Sequence, residues 1–236
     1  MVVIISCHHF PDDERIYHKQ IKSLLKYEHR VLYYTRSNSS LNLSDGLITH
    51  KNFSMKFGIS VFIDKVLHSM KSIGDIKQVQ IHEVELLPIM KKVKNISPKV
   101  LTIYDVHENM EALYRTFSKR VKVLKELSIK VRNYNENKYL QYVDRIILAN
   151  PPMGLKTYKN RSTIIIENFP KIQYLTPLDQ ITKRTGNHIL YHGHIGPERG
   201  LKELVYAMRQ VIEKVPSASL NIVGNFRTKN FENNIR

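Results

Sequence analysis

A chain of 236 residues, 42% of them hydrophobic and 25% charged, is long enough for a sizeable core and has the balance of an ordinary globular protein. It holds no run of about 18 apolar residues, and the short apolar start MVVIIS lacks the basic flank of a signal peptide, so the expected location is the cytoplasm. Its 37 basic residues against 21 acidic ones give a formal charge of +16 and a pI near 9.8, which points to anionic partners: nucleic acid, a phosphorylated small molecule or an anionic membrane surface.

In chain order, the short β-branched runs Val2–Ile5, Arg30–Tyr34, Val79–Ile81, Val100–Tyr104, Arg145–Leu148, Thr163–Ile166, Ile189–Tyr191 and Leu220–Val223 read as strands buried on both faces. Helix-period segments lie between them, so the expected fold class is α/β, a parallel sheet covered by helices on both sides. In such sheets, ligands bind beyond the carboxyl ends of the strands. Cys7 ends the first strand and reads as a buried, inert thiol, with no second cysteine to pair with.

From Phe117 to Tyr142 the positive charge is densest, with Lys119, Arg120, Lys122, Lys125, Lys130, Arg132 and Lys138. Phe117, Val121, Leu124, Leu127, Val131 and Tyr134 recur there at helical spacing. The preferred reading is a solvated basic face over a buried apolar stripe, and the alternative is contact with a membrane surface. Between Asn168 and Gly186 the periodicity lapses, with two prolines and a basic cluster, and the strand-loop-helix-strand pattern then restarts. The expected domains are therefore 1–186 and the opening of a second at 187–236, too short for an independent doubly wound domain of about 100 residues. In this second part Leu201, Leu204, Val205, Met208, Ile212 and Val215 form a clean helical stripe.

The stretch HGHIGPERG, His192 to Gly200, joins the strand Ile189–Tyr191 to that helix. Its glycines fit neither the dinucleotide fingerprint nor the P-loop. A helix starting near Glu198 to Gly200 still presents unpaired N–H groups and a dipole that stabilises an anion by about 0.3–1 kcal/mol. Arg199 adds a fork suited to phosphate oxygens, and Gly193 permits close approach of the backbone to a ligand. The plainer reading is a surface arginine beside a turn. His188, His192 and His194, or His8 and His9, lack the converging spacing of a zinc site, so no metal is expected.

In this order the motifs resemble the family 4 glycosyltransferases of GT-B fold. The family's second domain opens with a strand, a glycine-basic pair, a basic-glycine helix start, an apolar helix and a strand ending in Val-Gly. The matching residues are Gly193, His194, Arg199, Gly200, LKELVYAM and LNIVG ending at Gly224. The resemblance implies that this loop holds the diphosphate of a nucleotide sugar, with His194 standing where arginine is usual and making the grip weaker or pH-dependent. YDVHEN, Tyr104 to Asn109, resembles the family's Asp-x-His-Glu segment, which implies His107 as the catalytic histidine at the cleft, facing the donor, with Asp105 and Glu108 in support. SCHHFPDDERIYHKQIKSL resembles the family's first loop and implies acceptor contacts from His9, Asp13 and Arg15, with Pro11 in the match. IHEVELLPIM matches through His82, Glu85, Leu86 and Leu87, and ENFP, Glu167 to Pro170, matches the exit from the first domain.

The resemblance implies a retaining transfer from a nucleotide-sugar donor to a hydroxyl of a glycan or lipid-linked acceptor, in polysaccharide or glycolipid biosynthesis. No cofactor is needed, and a peripheral place at the inner membrane face is compatible with the charge. Because the family's nucleobase pocket and glutamate pair come later than Arg236, the chain reads as a fragment with little activity alone. Arg199→Ala is expected to remove most donor binding or turnover in a complete version. The alternatives are a basic binding protein for membrane or nucleic acid in which the motifs are relics, and a GT-B-fold nucleotide-sugar epimerase. Nucleic acid is not favoured, since basic and aromatic residues are not interleaved as in RNA-binding modules.

Overall fold

A computed structural model describes residues 1–107, 109–118, 121–150, 158, 160–170, 172 and 186–235. The chain divides into two compact units, Met1–Phe169 and Pro170–Arg236. The stretch expected to separate the domains falls largely outside the described residues.

The first unit is built on strands β1 (Val2–Ser6), β2 (Val31–Arg36), β3 (Ile48–Phe53), β4 (Gln78–Ile81), β5 (Leu101–Val106), β6 (Arg145–Leu148) and β7 (Thr163–Ile165). They form one seven-stranded sheet in the order β3-β2-β1-β4-β5-β6-β7, parallel at every pairing. The order reverses direction between β1 and β4, which opens a crevice beyond their carboxyl ends. Along β1 the side chains alternate between two cores: Val3 and Ile5 join Phe62, Ile81 and Leu86 on one face, while Val2 and Ile4 join Ile16, Ile21 and Tyr33 on the other. Burying each such aliphatic or aromatic side chain contributes about 1.5–3 kcal/mol, which is why the central strands read so clearly.

Helices cover both faces: a π-helical segment Glu14–Ile21 running into α1 (Lys22–Lys26), then α2 (Ile59–Lys71), α3 (Leu87–Ile96), α4 (Met110–Phe117) and α5 (Lys122–Leu140). Asp13 caps the first, its Oδ1 accepting from the N–H groups of Arg15 and Ile16 at 2.9 Å each. In α2, Phe62, Val66 and Met70 are the buried face.

Three expectations from the sequence need correction. β3 was not foreseen: ITHKNF alternates buried and exposed residues because it is an edge strand, so it carries no continuous apolar run. The strands near the chain's end are not buried on both faces, since Ile164 is 52% exposed at the opposite edge and Leu190 is 67% exposed in the second unit. The apolar stripe of α5 is not buried either: Leu124, Leu127, Val131 and Tyr134 are all more than half exposed, while Ile129, Glu136 and Leu140 turn inward. The segment is amphipathic as expected, with the stripe facing outward.

The second unit pairs β8 (His188–His192) with β9 (Ser219–Val223) in parallel, linked by a 3₁₀ turn at Pro197–Arg199 and α6 (Leu201–Lys214); α7 (Lys229–Ile235), absent from the sequence reading, follows. Its small core is Ile195, Leu201 and Phe231. In α6, Leu201 and Met208 are buried, whereas Ile212 and Val215 at the far end of the expected stripe are exposed. At Gly224, with φ +157°, a Cβ would meet the carbonyl oxygen of Gly193 at 1.8 Å. Gly224→Ala is therefore expected to cost about 1–3 kcal/mol in backbone strain. Hydrogen exchange should show it as faster exchange of the β8 and β9 amides, with those of β1 unchanged.

Candidate active site

The first unit gathers its titratable groups where the strand order reverses. β5 delivers Asp105 to the crevice with no exposed surface, and the π-helical segment after β1 brings Arg15 to it across 90 residues of chain. The Arg15 guanidinium donates through Nε at 3.2 Å and Nη2 at 2.9 Å to the two carboxylate oxygens, and through Nη1 to the Ile166 carbonyl at 2.7 Å. Gln20, five residues further along the same segment, donates to Asp105 Oδ2 at 2.5 Å. Burial alone would raise the Asp105 pKa, but hydrogen bonds from His107, His82 and Arg15 outweigh it and hold the carboxyl well below its ordinary range.

Around this anion stand three histidines. His82, directly after β4, lies with Nδ1 3.5 Å from Asp105 Oδ2 and 3.0 Å from His107 Nε2, and His107 Nε2 is 3.3 Å from the same oxygen. Gln80 donates from Nε2 to Gln20 Oε1 at 2.6 Å and faces His82 Nε2 at 3.3 Å with its other proton. His82 therefore carries its proton on Nδ1, directed at the Asp105–His107 pair. Burial is the main reason that the His82 pKa falls, so this ring stays neutral. The ring of His9 sits 4.6 Å from that of His107, and its Nδ1 is 3.1 Å from Asp13 Oδ2. Burial pushes Asp13 upward, but the hydrogen bonds from His9 and the Ile16 N–H prevail and take it down to about 2.

The result is two carboxylate-histidine pairs, Asp13–His9 and Asp105–His107, with the histidine rings side by side. His8, His9, His82, Glu83, Tyr104 and His107 are among the walls of a pocket of about 290 Å³. Such pairs fix ring orientation and tautomer, which suits an imidazole to hold a hydroxyl or an anionic oxygen. His82, Asp105 and His107 also place their ligand atoms within 4.8 Å of one another, a trio that the sequence reading did not consider for a metal. Asp105 already accepts from a guanidinium and an amide, which a divalent cation would have to displace, so the trio is better suited to aligning protons.

His9, Asp13, Arg15 and His107 are thus brought together in the first unit, with Asp13 doubling as a helix cap. Glu108 lies outside the described residues. Sequence reasoning missed Glu83, a buried carboxylate whose Oε1 accepts from Ser6 Oγ at 2.7 Å and from the N–H groups of Cys7 and His8 at 3.0 and 2.9 Å, pinning the end of β1 to β4. Its only local signal was the His-Glu pair directly after a strand. Cys7 is buried, as expected, and burial raises its pKa, which keeps the thiol inert.

In the second unit, Gly193, His194, Arg199 and Gly200 all fall in the loop from β8 to α6. Gly200 adopts the left-handed conformation at φ +66° immediately before α6, a turn that favours glycine, while Arg199 and His194 are exposed. The Tyr191 hydroxyl donates to the His194 carbonyl at 2.7 Å and steadies the loop.

Acid titration offers a check on the first unit. Asp13 and Asp105 have folded pKa values below their unfolded ones, so the stability they contribute is complete above the ordinary carboxylate value of about 4 and is lost as pH falls through the lowered values. Urea midpoints measured from pH 5 down to about 2 should fall steadily, and the fall should be shallower in Asp13→Asn.

No family model and no curated protein sequence matches the chain. Solved structures do. Sucrose-phosphate synthase from Thermosynechococcus elongatus matches with a TM-score of 0.68 at 15% identity, over 95% of this chain and 62% of that one. Trehalose-6-phosphate from E. coli bound with UDP-2-fluoro glucose matches at a TM-score of 0.62 and 11% identity, over 98% and 67% of the two chains. A trehalose-6-phosphate synthase studied for glycosyltransfer with retention matches at 0.60 and 12%, over 98% and 66%. The chain has the GT-B fold. Its seven-stranded parallel sheet matches a Rossmann-like domain of that fold. It spans about two thirds of the length of these GT-B proteins, 62% for the sucrose-phosphate synthase.

Proposed function

We propose that this chain belongs to a glycosyltransferase that moves a sugar, with retention, from a nucleotide donor to a hydroxyl of a glycan or lipid-linked acceptor in polysaccharide or glycolipid synthesis. The observation that carries the proposal is the pair of carboxylate-histidine couples at the strand-order reversal of a GT-B sheet. Two structures of the same fold support it, one holding UDP-2-fluoro glucose and one studied for retaining transfer. Within GT-B the motifs favour family 4. In this reading His107 is the catalytic histidine toward the donor, and His9, Asp13, Arg15 and Glu108 serve the acceptor side. Gly193, His194, Arg199 and Gly200 hold the diphosphate, residues 1–186 are the acceptor-side domain with its linker, and residues 187–236 are the start of the nucleotide-sugar-binding domain.

The test is calorimetric titration with a panel of nucleotide sugars, on this chain and on a longer one carrying a complete second domain. The expected result is heat of binding for one donor, and transfer to an added acceptor with retained anomeric configuration by the longer chain. Conversion of the nucleotide sugar without any acceptor would assign the epimerase alternative. Tight, strongly salt-dependent binding of RNA or DNA with no response to any nucleotide sugar would overturn the reading in favour of a basic binding protein.

A further inference from the structure

Among the described residues, nothing covers the face of α5 opposite its buried side. Val121, just before the helix, is 66% exposed, and Leu124, Leu127, Val131 and Tyr134 are 52%, 57%, 52% and 70% exposed. At 100° per residue these five positions form one strip, centred opposite Ile129, Glu136 and Leu140. Lys130 is exposed at its border and Lys138 within it, toward the end of the helix. The acidic residues of the helix offer little to offset them: Glu136 is buried and accepts from the Tyr158 hydroxyl, and Glu126 is paired with Arg115. Among the described residues, no helix is long and apolar enough to cross a membrane.

An apolar strip with lysines at its border and far end, a tyrosine at its edge and a protein of +16 behind it has the profile of a helix that lies in the plane of a bilayer interface. We infer that the outward face of α5 docks on an anionic lipid surface, sinking Leu124, Leu127 and Val131 into the acyl boundary while the lysines meet the headgroup charge. The same face borders a groove of about 740 Å³ in which Leu127 and Val131 oppose Val84 and Pro88. Val84 and Glu85 wall both this groove and the histidine pocket, so a bilayer held here lies next to the candidate active site. The inference rests on the surface and not on the donor chemistry proposed above.

The experiment is flotation of the chain with phosphatidylcholine vesicles, with and without phosphatidylglycerol, at low and high salt and without any nucleotide sugar. Binding to the anionic vesicles alone, weakened by salt, is expected. Lys130→Gln and Lys138→Gln should each lower the partition coefficient roughly fivefold, and Leu127→Glu with Val131→Glu should abolish flotation while circular dichroism stays unchanged. No flotation, or flotation indifferent to these variants, would overturn the inference. So would sedimentation showing that Leu127→Glu splits a dimer while vesicle binding persists, since the face would then belong to a second copy. Nucleotide-sugar titration of the same variants keeps the two proposals apart, because heats equal to those of the unaltered chain are expected whatever the vesicles show.

Discussion

Arg15→Met should destabilise the first unit by about 3–5 kcal/mol, the cost of stranding a buried charge by removing its partner. Asp105 has no exposed surface and Arg15 only 6%, so water cannot replace the lost fork. Three donated hydrogen bonds disappear with the guanidinium, two to Asp105 and one to the Ile166 carbonyl. What remains around Asp105 is Gln20 and the two histidines, and the carboxyl should respond by binding a proton at higher pH than in the unaltered chain. Lysine at position 15 keeps a positive charge but not the planar fork, so Arg15→Lys should lose less. The measurement is urea unfolding at neutral pH, followed through the far-ultraviolet signal. Arg15→Met combined with Asp105→Leu should recover much of the single-variant loss, because a buried pair replaced as a whole leaves no orphan charge. A double-variant loss equal to the sum of the single losses would show that the pair is not coupled.

That ion pair also marks the limit of what the sequence made legible. The central strands stood out because burial on both faces demands continuous β-branched runs, as in Val2–Ser6. Edge strand β3 did not, because its solvent-facing Thr49 and Lys51 break any such run. The α5 pattern fixed a helix and its apolar stripe, but periodicity is silent on whether a stripe meets a core or faces solvent, and here the core takes Ile129 and Leu140 instead. At the site, the motif resemblance picked out His107, Asp105 and Arg15 one at a time. Their convergence depends on pairing β1 with β4 and β4 with β5, a relation across 90 residues that no local spacing encodes. Glu83 and the Gln20–Gln80 couple stayed hidden for a related reason: each has an unremarkable neighbourhood in the chain and acquires its partners only when the sheet closes.

The largest effect on activity is expected at the β8–α6 loop. In a chain with a complete second domain, Arg199→Ala should lower turnover by roughly 100- to 1,000-fold, the usual consequence of losing one preorganised donor to a developing charge. The charge that builds up in the proposed transfer is on the departing diphosphate, so the interaction should strengthen toward the transition state and the loss should appear in kcat. Around Arg199 the backbone is suited to an anion: the first N–H groups of α6 are free of helical partners, and left-handed Gly200 sets the turn that leads into them. Gly200→Ala should therefore also depress turnover, through strain at φ +66° and not through lost charge. His194 supplies an internal control. If the loop grips a diphosphate, His194→Arg adds a charged hydrogen bond worth about 1.5–3 kcal/mol and should tighten donor binding at least roughly tenfold. A loop that merely turns the chain would show neither effect, and steady-state kinetics on these three variants, with urea unfolding as the check on folding, separates the two cases.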